Sequence, residues 1–143
     1  MADADNARGI EELKSFVEHW LRTHPGVEPV PPKKATSRQV HLTVWRTRSK
    51  GRPIGLESGH AGILNLWLTS MSVPADLPEG VEITKKVWKS DGWVDAVPDP
   101  ARKGRNGANS NLKPFEVFNR RPITRLGLRR IEDAKMILEQ VVT

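Results

Sequence analysis

Ile63-Leu64-Asn65-Leu66-Trp67-Leu68, flanked by Gly62 and Thr69, is an apolar run broken by one polar residue, Asn65. It is too short for a typical helix and lacks the alternation of a half-exposed strand, so it predicts a strand buried on both faces. The stretch upstream behaves differently. From Arg38 the pattern has period two, with Val40, Leu42 and Val44 on one side and His41, Thr43 and Trp45 on the other. This predicts a strand with one buried face and an outer face that is aromatic and basic. Arg48-Ser49-Lys50-Gly51-Arg52-Pro53 follows as a basic turn, and Ile54 to Gly59 carries no strong period.

Downstream, Pro74, Pro78 and Gly80 mark a loop, and Val81, Ile83, Val87 and Trp88 read as a strand interrupted by Lys85-Lys86. Asp91-Gly92 is a tight-turn signal, with Trp93, Val94 and Val97 as its hairpin partner. Pro98 to Asn111 is so rich in Pro, Gly, Asn, Arg and Lys that it reads as a long surface loop with a binding role. Ser110 or Asn111 caps a short expected helix from Leu112 to about Phe118, with Pro114 in its first turn. Ile123, Arg125, Gly127 and Arg129 then alternate with Leu126 and Leu128 as a strand.

Helices close both ends. Ile10, Leu13, Phe16, Val17, Trp20 and Leu21 predict an amphipathic helix from about Ala7 to Thr23, stopped by His24-Pro25-Gly26. Glu28-Pro29-Val30-Pro31-Pro32-Lys33-Lys34 reads as an extended connector of polyproline character. Ala134, Ile137, Leu138 and Val141 form the inner stripe of a last helix, Ile131 to Val142. Helix, strands, short helix, strand, helix is the order of an α+β fold with a small, mostly antiparallel sheet. The chain is expected to be one basic domain over 1–143, with 1–32 as the helix plus connector and 36–143 as the core.

The chain has 143 residues, with 23 Lys plus Arg against 17 Asp plus Glu, a net charge of +6 and a pI near 10.0. This favours polyanionic partners, nucleic acid ahead of a membrane surface. There is no Cys, which excludes disulfides, thiolate zinc sites and Cys nucleophiles. No apolar run approaches the roughly 20 residues of a membrane span, and the start is acidic, so a soluble cytoplasmic protein without membrane contact is expected. The positive charge is concentrated. Residues 33–52 hold seven cations and no acid, and residues 102–130 hold nine cations against Glu116 alone.

These two blocks lead to the principal expectation, a nucleic-acid-binding domain that reads single strands or a modified base. Arg46, Arg48, Arg52, Lys113, Arg120 and Arg121 are expected on phosphates. Arg105, Asn109 and Asn111 form the reading loop, and Trp45, Trp88 and Trp93 the stacking platforms. Trp20 and Trp67 sit in apolar patterns and read as core. A Mg²⁺-dependent nuclease is the enzyme alternative, drawing on Glu57, Asp76, Glu82, Lys85, Asp91 and Asp95, with His60 as base. As a third class, residues 7–23 would dock on a protein partner. The glycine-rich phosphate loops, the paired helical His of a metalloprotease and the serine nucleophile elbow are all missing from the sequence. Neither a resident metal nor a cofactor is expected.

Overall fold

The computed structural model describes residues 2–32, 42–89, 92–97, 112 and 115–143, with side chains from residue 9 onward. The elements run α1 (Ala2–Thr23), β1 (Val27–Val30), β2 (Leu42–Thr47), β3 (Pro53–Glu57) and β4 (Leu64–Thr69). They continue through β5 (Glu82–Lys89), β6 (Gly92–Asp95), β7 (Ile123–Leu128) and α2 (Ile131–Val142). All seven strands join one sheet in the order β1-β2-β3-β4-β7-β5-β6, and every pairing is antiparallel. This is the α+β architecture read from the element order.

β4 is central, and each of its residues is buried. Leu64, Leu66 and Leu68 point to one side, where Ile54 and Leu56 of β3 and Leu126 and Leu128 of β7 join them. That side is covered by Ile10, Leu13, Val17 and Leu21 of α1 and Ala134, Ile137, Leu138 and Val141 of α2. Each fully buried aliphatic side chain there contributes about 2 kcal/mol from apolar area removed from water. Trp67 and Ile123 point the other way, into a second cluster with Leu42, Val44, Trp93, Leu112, Phe115 and Phe118. The sheet is thus covered on both faces, by helices on one and by residues from the Leu112–Arg121 region on the other.

Three local expectations are corrected. Residues 28–30 belong to β1, paired with Val44–Arg46 of β2, rather than to a polyproline connector. Pro29 is tolerated because β1 is an edge strand with only one ladder to satisfy. Pro53–Glu57, which has no clear period, is a buried strand; Pro53 opens it, and a Cβ on Gly55 would come within 3.1 Å of the Trp67 Cβ. The glycine is there because the tryptophan crosses it. Finally, Phe115–Arg121 is a series of tight turns, Phe118 N–H to Phe115 O, Asn119 to Glu116 and Arg121 to Phe118, not the last part of a helix. Phe115 and Phe118 both have to reach the sheet, and i→i+3 turns present them together.

Charge is also buried between strands. Lys86 and Asp95, cross-strand partners on β5 and β6, meet at 2.6 Å with side chains only 6% and 8% exposed. Removing one partner strands the other charge in a low-dielectric site. Asp95→Ala is expected to lower unfolding free energy by about 3–5 kcal/mol in urea titrations, while Lys86→Met with Asp95→Leu recovers most of it. A loss of only a few tenths from Asp95→Ala would contradict the burial of this pair.

Candidate functional site

The strand register places parts of the two sequence-distant basic blocks, Arg46 to Lys50 and Arg120 with Arg121, at one end of the sheet. Arg46 pairs with Pro53 at the end of β2, next to the exposed turn carrying Arg48 and Lys50. Two strands further on, Thr69 pairs with Ile123, and Ser70 N–H donates to Pro122 O at 2.9 Å. Arg120 and Arg121 therefore enter β7 at the same end, both exposed, and Lys89 leaves β5 there opposite Gly92. The span from β2 to β7 is three strand spacings, about 14 Å. Of the acids at this end, Glu28 of β1 contacts the cluster directly, through Arg46 and Arg48.

Local geometry distinguishes the arginines. Arg46 Nε donates to Glu28 Oε1 at 2.6 Å, and Arg48 to Glu28 Oε2 at 3.3 Å. The Glu28 carboxyl is held below its ordinary range, chiefly by the Arg46 hydrogen bond. One carboxylate thus braces two guanidinium groups and leaves a net positive pair. Arg52 has a different role from the phosphate contact expected: it is half-buried and donates to Val141 O at 2.8 Å, satisfying a carbonyl in the last turn of α2. Arg120 has φ 66°, the left-handed region, which costs a non-glycine residue about 1–2 kcal/mol. Strain of this kind gathers at functional sites.

Trp93 and Trp45 are corrected as stacking platforms, while Trp88 keeps part of its surface exposed. Trp93 is 2% exposed, and its indole N–H donates to Arg121 O at 2.7 Å. Trp45 is half-buried against the helix-side core, with its N–H on Thr43 Oγ1 at 3.2 Å. Trp88 is half-buried and meets Trp93 edge to face, ring centroids 4.9 Å apart. Alternation predicts an exposed aromatic face, and a sheet covered on both sides removes it. Trp67 is core, as its apolar setting implies. Lys33, Lys34, Arg38, Asp91, Arg102, Lys103, Arg105, Asn109, Asn111 and Lys113 lie outside the described residues, so the expected reading loop does too.

At the opposite end of the same sheet face is a polar cleft of about 230 Å³, lined by His60, Ile63, Asn65, Glu82, Thr84, Arg125 and Gly127. Glu57, Asn65, Gly127 and Glu82 are consecutive cross-strand partners over β3, β4, β7 and β5. Asn65 Nδ2 donates to Glu57 Oε1 at 3.2 Å, Trp67 Nε1 approaches the same oxygen at 3.4 Å, and His60 Nε2 lies 3.6 Å from it. Glu82 is paired with Arg129 at 3.0 Å. The Arg125 guanidinium lies over the Trp67 ring, 5.7 Å from its centroid, and donates to Thr84 Oγ1 at 3.3 Å. The sequence singles out His60, Glu57 and Glu82 as candidate chemistry, but it does not assign Asn65 or Arg125 to a site. The signal that could have found the cleft is the lone Asn inside the buried run.

The nuclease constellation does not assemble among the described residues. Asp95 is spent on Lys86, Lys85 lies on the sheet face opposite Glu82, and no three His or carboxylate groups converge to hold a metal ion. The apolar stripe of α1, the expected protein-docking face, is spent in the core. No helix among the described residues is long and apolar enough to cross a membrane. No protein-family model matches the chain, nor does any curated protein or solved structure.

The indole of Trp93 supplies a test of its assignment. Trp93→Phe keeps an aromatic ring and leaves the Arg121 carbonyl without its donor, so unfolding free energy is expected to fall by about 1–3 kcal/mol. An unchanged denaturation midpoint would mean that Trp93 is a surface platform after all.

Proposed function

We propose that this chain is a nucleic-acid-binding domain that engages the phosphate backbone through the basic end of its sheet. The observation that carries this reading is the register itself. It aligns Arg46, Arg48 and Lys50 with Arg120 and Arg121, drawn from charge blocks some seventy residues apart in sequence. Clustered cations gain affinity by releasing counterions from phosphates, whereas scattered ones give only solubility. Arg46, Arg48, Lys50, Arg120 and Arg121 are the phosphate contacts of this reading, with Arg105, Asn109, Asn111 and Lys113, which lie outside the described residues, as further contacts in the proposal. Guanidinium groups suit this task because their planar fork can grip a phosphate by two hydrogen bonds.

The buried or packed positions of Trp45 and Trp93 remove two of the three stacking surfaces, so affinity here rests on charge rather than on an aromatic platform. That makes the preferred substrate a flexible single strand or an irregular structure whose phosphates can follow an arc of about 14 Å. Such a role fits a cytoplasmic protein without membrane contact.

Binding of a labelled single-stranded oligonucleotide, followed by fluorescence anisotropy over a salt series, tests the reading. Replacing Arg120 and Arg121 together by Ala is expected to make the log–log salt slope shallower by about 1.5, since each phosphate left without its cation removes roughly 0.7–0.9. Glu28→Gln frees Arg46 and Arg48 and is expected to tighten binding and steepen the slope. Acidification acts in the same direction, but only below the ordinary carboxylate range, because Arg46 keeps the Glu28 carboxyl ionised above it. Wild-type binding that ignores salt, or slopes unchanged in these variants, would overturn the assignment.

A further inference from the structure

The cleft at the far end of the sheet face is separate from the basic end, yet it shares the face. Ile123 belongs to the basic end, and Gly127 in the cleft lies four residues along the same strand, about 13 Å away. A single strand held by Arg46, Arg120 and Arg121 would have to extend about 13 Å to reach it. We propose that this cleft receives one unstacked nucleobase from the bound strand, so that the domain pairs a backbone grip with a base pocket. This inference rests on the nucleic-acid reading above.

Size comes first. A volume of about 230 Å³ is smaller than the roughly 300–1,000 Å³ of sites for drug-sized ligands, and it suits a single ring system. Electrical balance comes next. Arg125 and Arg129 are matched around the cleft by Glu57 and Glu82, so a neutral polar ring is accommodated better than a free anion.

Hydrogen-bonding capacity then narrows the class. Arg125 is half-buried, and it engages a hydroxyl and the face of an indole. No carboxylate lies within ion-pair distance of it among the described residues. A guanidinium has five N–H donors, so most of the fork is available to an acceptor edge such as that of guanine. Asn65 spends its amide nitrogen on Glu57, which leaves the amide oxygen to accept from a ring or exocyclic N–H. Glu82, across Gly127 from Asn65, adds a second acceptor.

Shape is the last constraint. Gly127 carries no side chain between Asn65 and Glu82, and the Ile63 δ-methyl packs so closely over it that a Cβ there would overlap it. Ile63 thus fills the space directly over Gly127 and gives the cleft an aliphatic surface against which a ring face can lie, with polar groups at its margin. A planar heterocycle with mixed donors and acceptors is the ligand these features share.

The test uses the full ¹⁵N-labelled chain and three probes: a short single strand, the same strand built of abasic residues, and guanosine alone. The base-bearing strand is expected to bind roughly tenfold more tightly than the abasic one, the scale of one good bidentate contact. It and guanosine should shift the Trp67 indole N–H, which sits between Glu57 and the Arg125 guanidinium. The abasic strand should leave that resonance in place. Arg125→Lys, which keeps the charge and removes the fork, should erase the difference between the strands while preserving salt-dependent binding of the abasic one. Equal affinity for the two strands with a silent Trp67 indole overturns the base pocket and leaves the backbone reading standing. If neither strand binds, the backbone reading fails; a Trp67 shift with guanosine then still supports the pocket, and a silent one overturns it as well.

Discussion

A strand buried on both faces imposes two requirements on the rest of the chain. β4 sends three leucines to one side and Trp67 to the other, so neither face of the sheet can be left to water. The two helices meet the first requirement with stripes of aliphatic residues at helical spacing. The second face has no helix over it among the described residues. It is closed by Leu112, Phe115 and Phe118 from the segment that leads into β7, and the turns of that segment bring Arg120 and Arg121 to the sheet end. Packing on the second face and placement of the basic cluster are thus one structural event.

The same economy explains the glycines and the strain. Gly55 exists where Trp67 and Phe118 press on the backbone, and Gly127 where Ile63 does. Arg120 is in the left-handed region at the point where the turns give way to Pro122 and β7. A glycine there would relieve the backbone, and the arginine is present at a cost of about 1–2 kcal/mol. The proposed phosphate contact would supply a reason, since Arg120 is one of the cations assigned to it in that proposal.

Much of the fold is legible in residue patterns. β4 stands out as an apolar run broken by Asn65 alone, β7 and α2 by the spacing of their apolar residues, and the C-terminal helix begins and ends where Ile131 and Val142 place it. β3 is not legible, because Pro53 and Gly55 suppress the strand signal and their presence follows from contacts with side chains distant in sequence. β1 is masked by its prolines. The tryptophans mislead for a physical reason: alternation tells two faces apart but not which is wet, and here both are covered. Convergence of the arginines is also invisible before the register is known, because it depends on β7 inserting between β4 and β5. Asn65, by contrast, is visible as the one polar residue in the central strand, and its partners make sense of it.

If the aligned basic end of the sheet is the surface that meets nucleic acid, adding a single-stranded oligonucleotide at low salt should perturb that end first. Backbone amide shifts followed through such a titration read this residue by residue. The largest shifts are expected on Arg46 to Lys50, Lys89, Arg120 and Arg121, with α1 unaffected. Shifts confined to α1, or spread evenly over all exposed lysines and arginines, would refute the proposed surface.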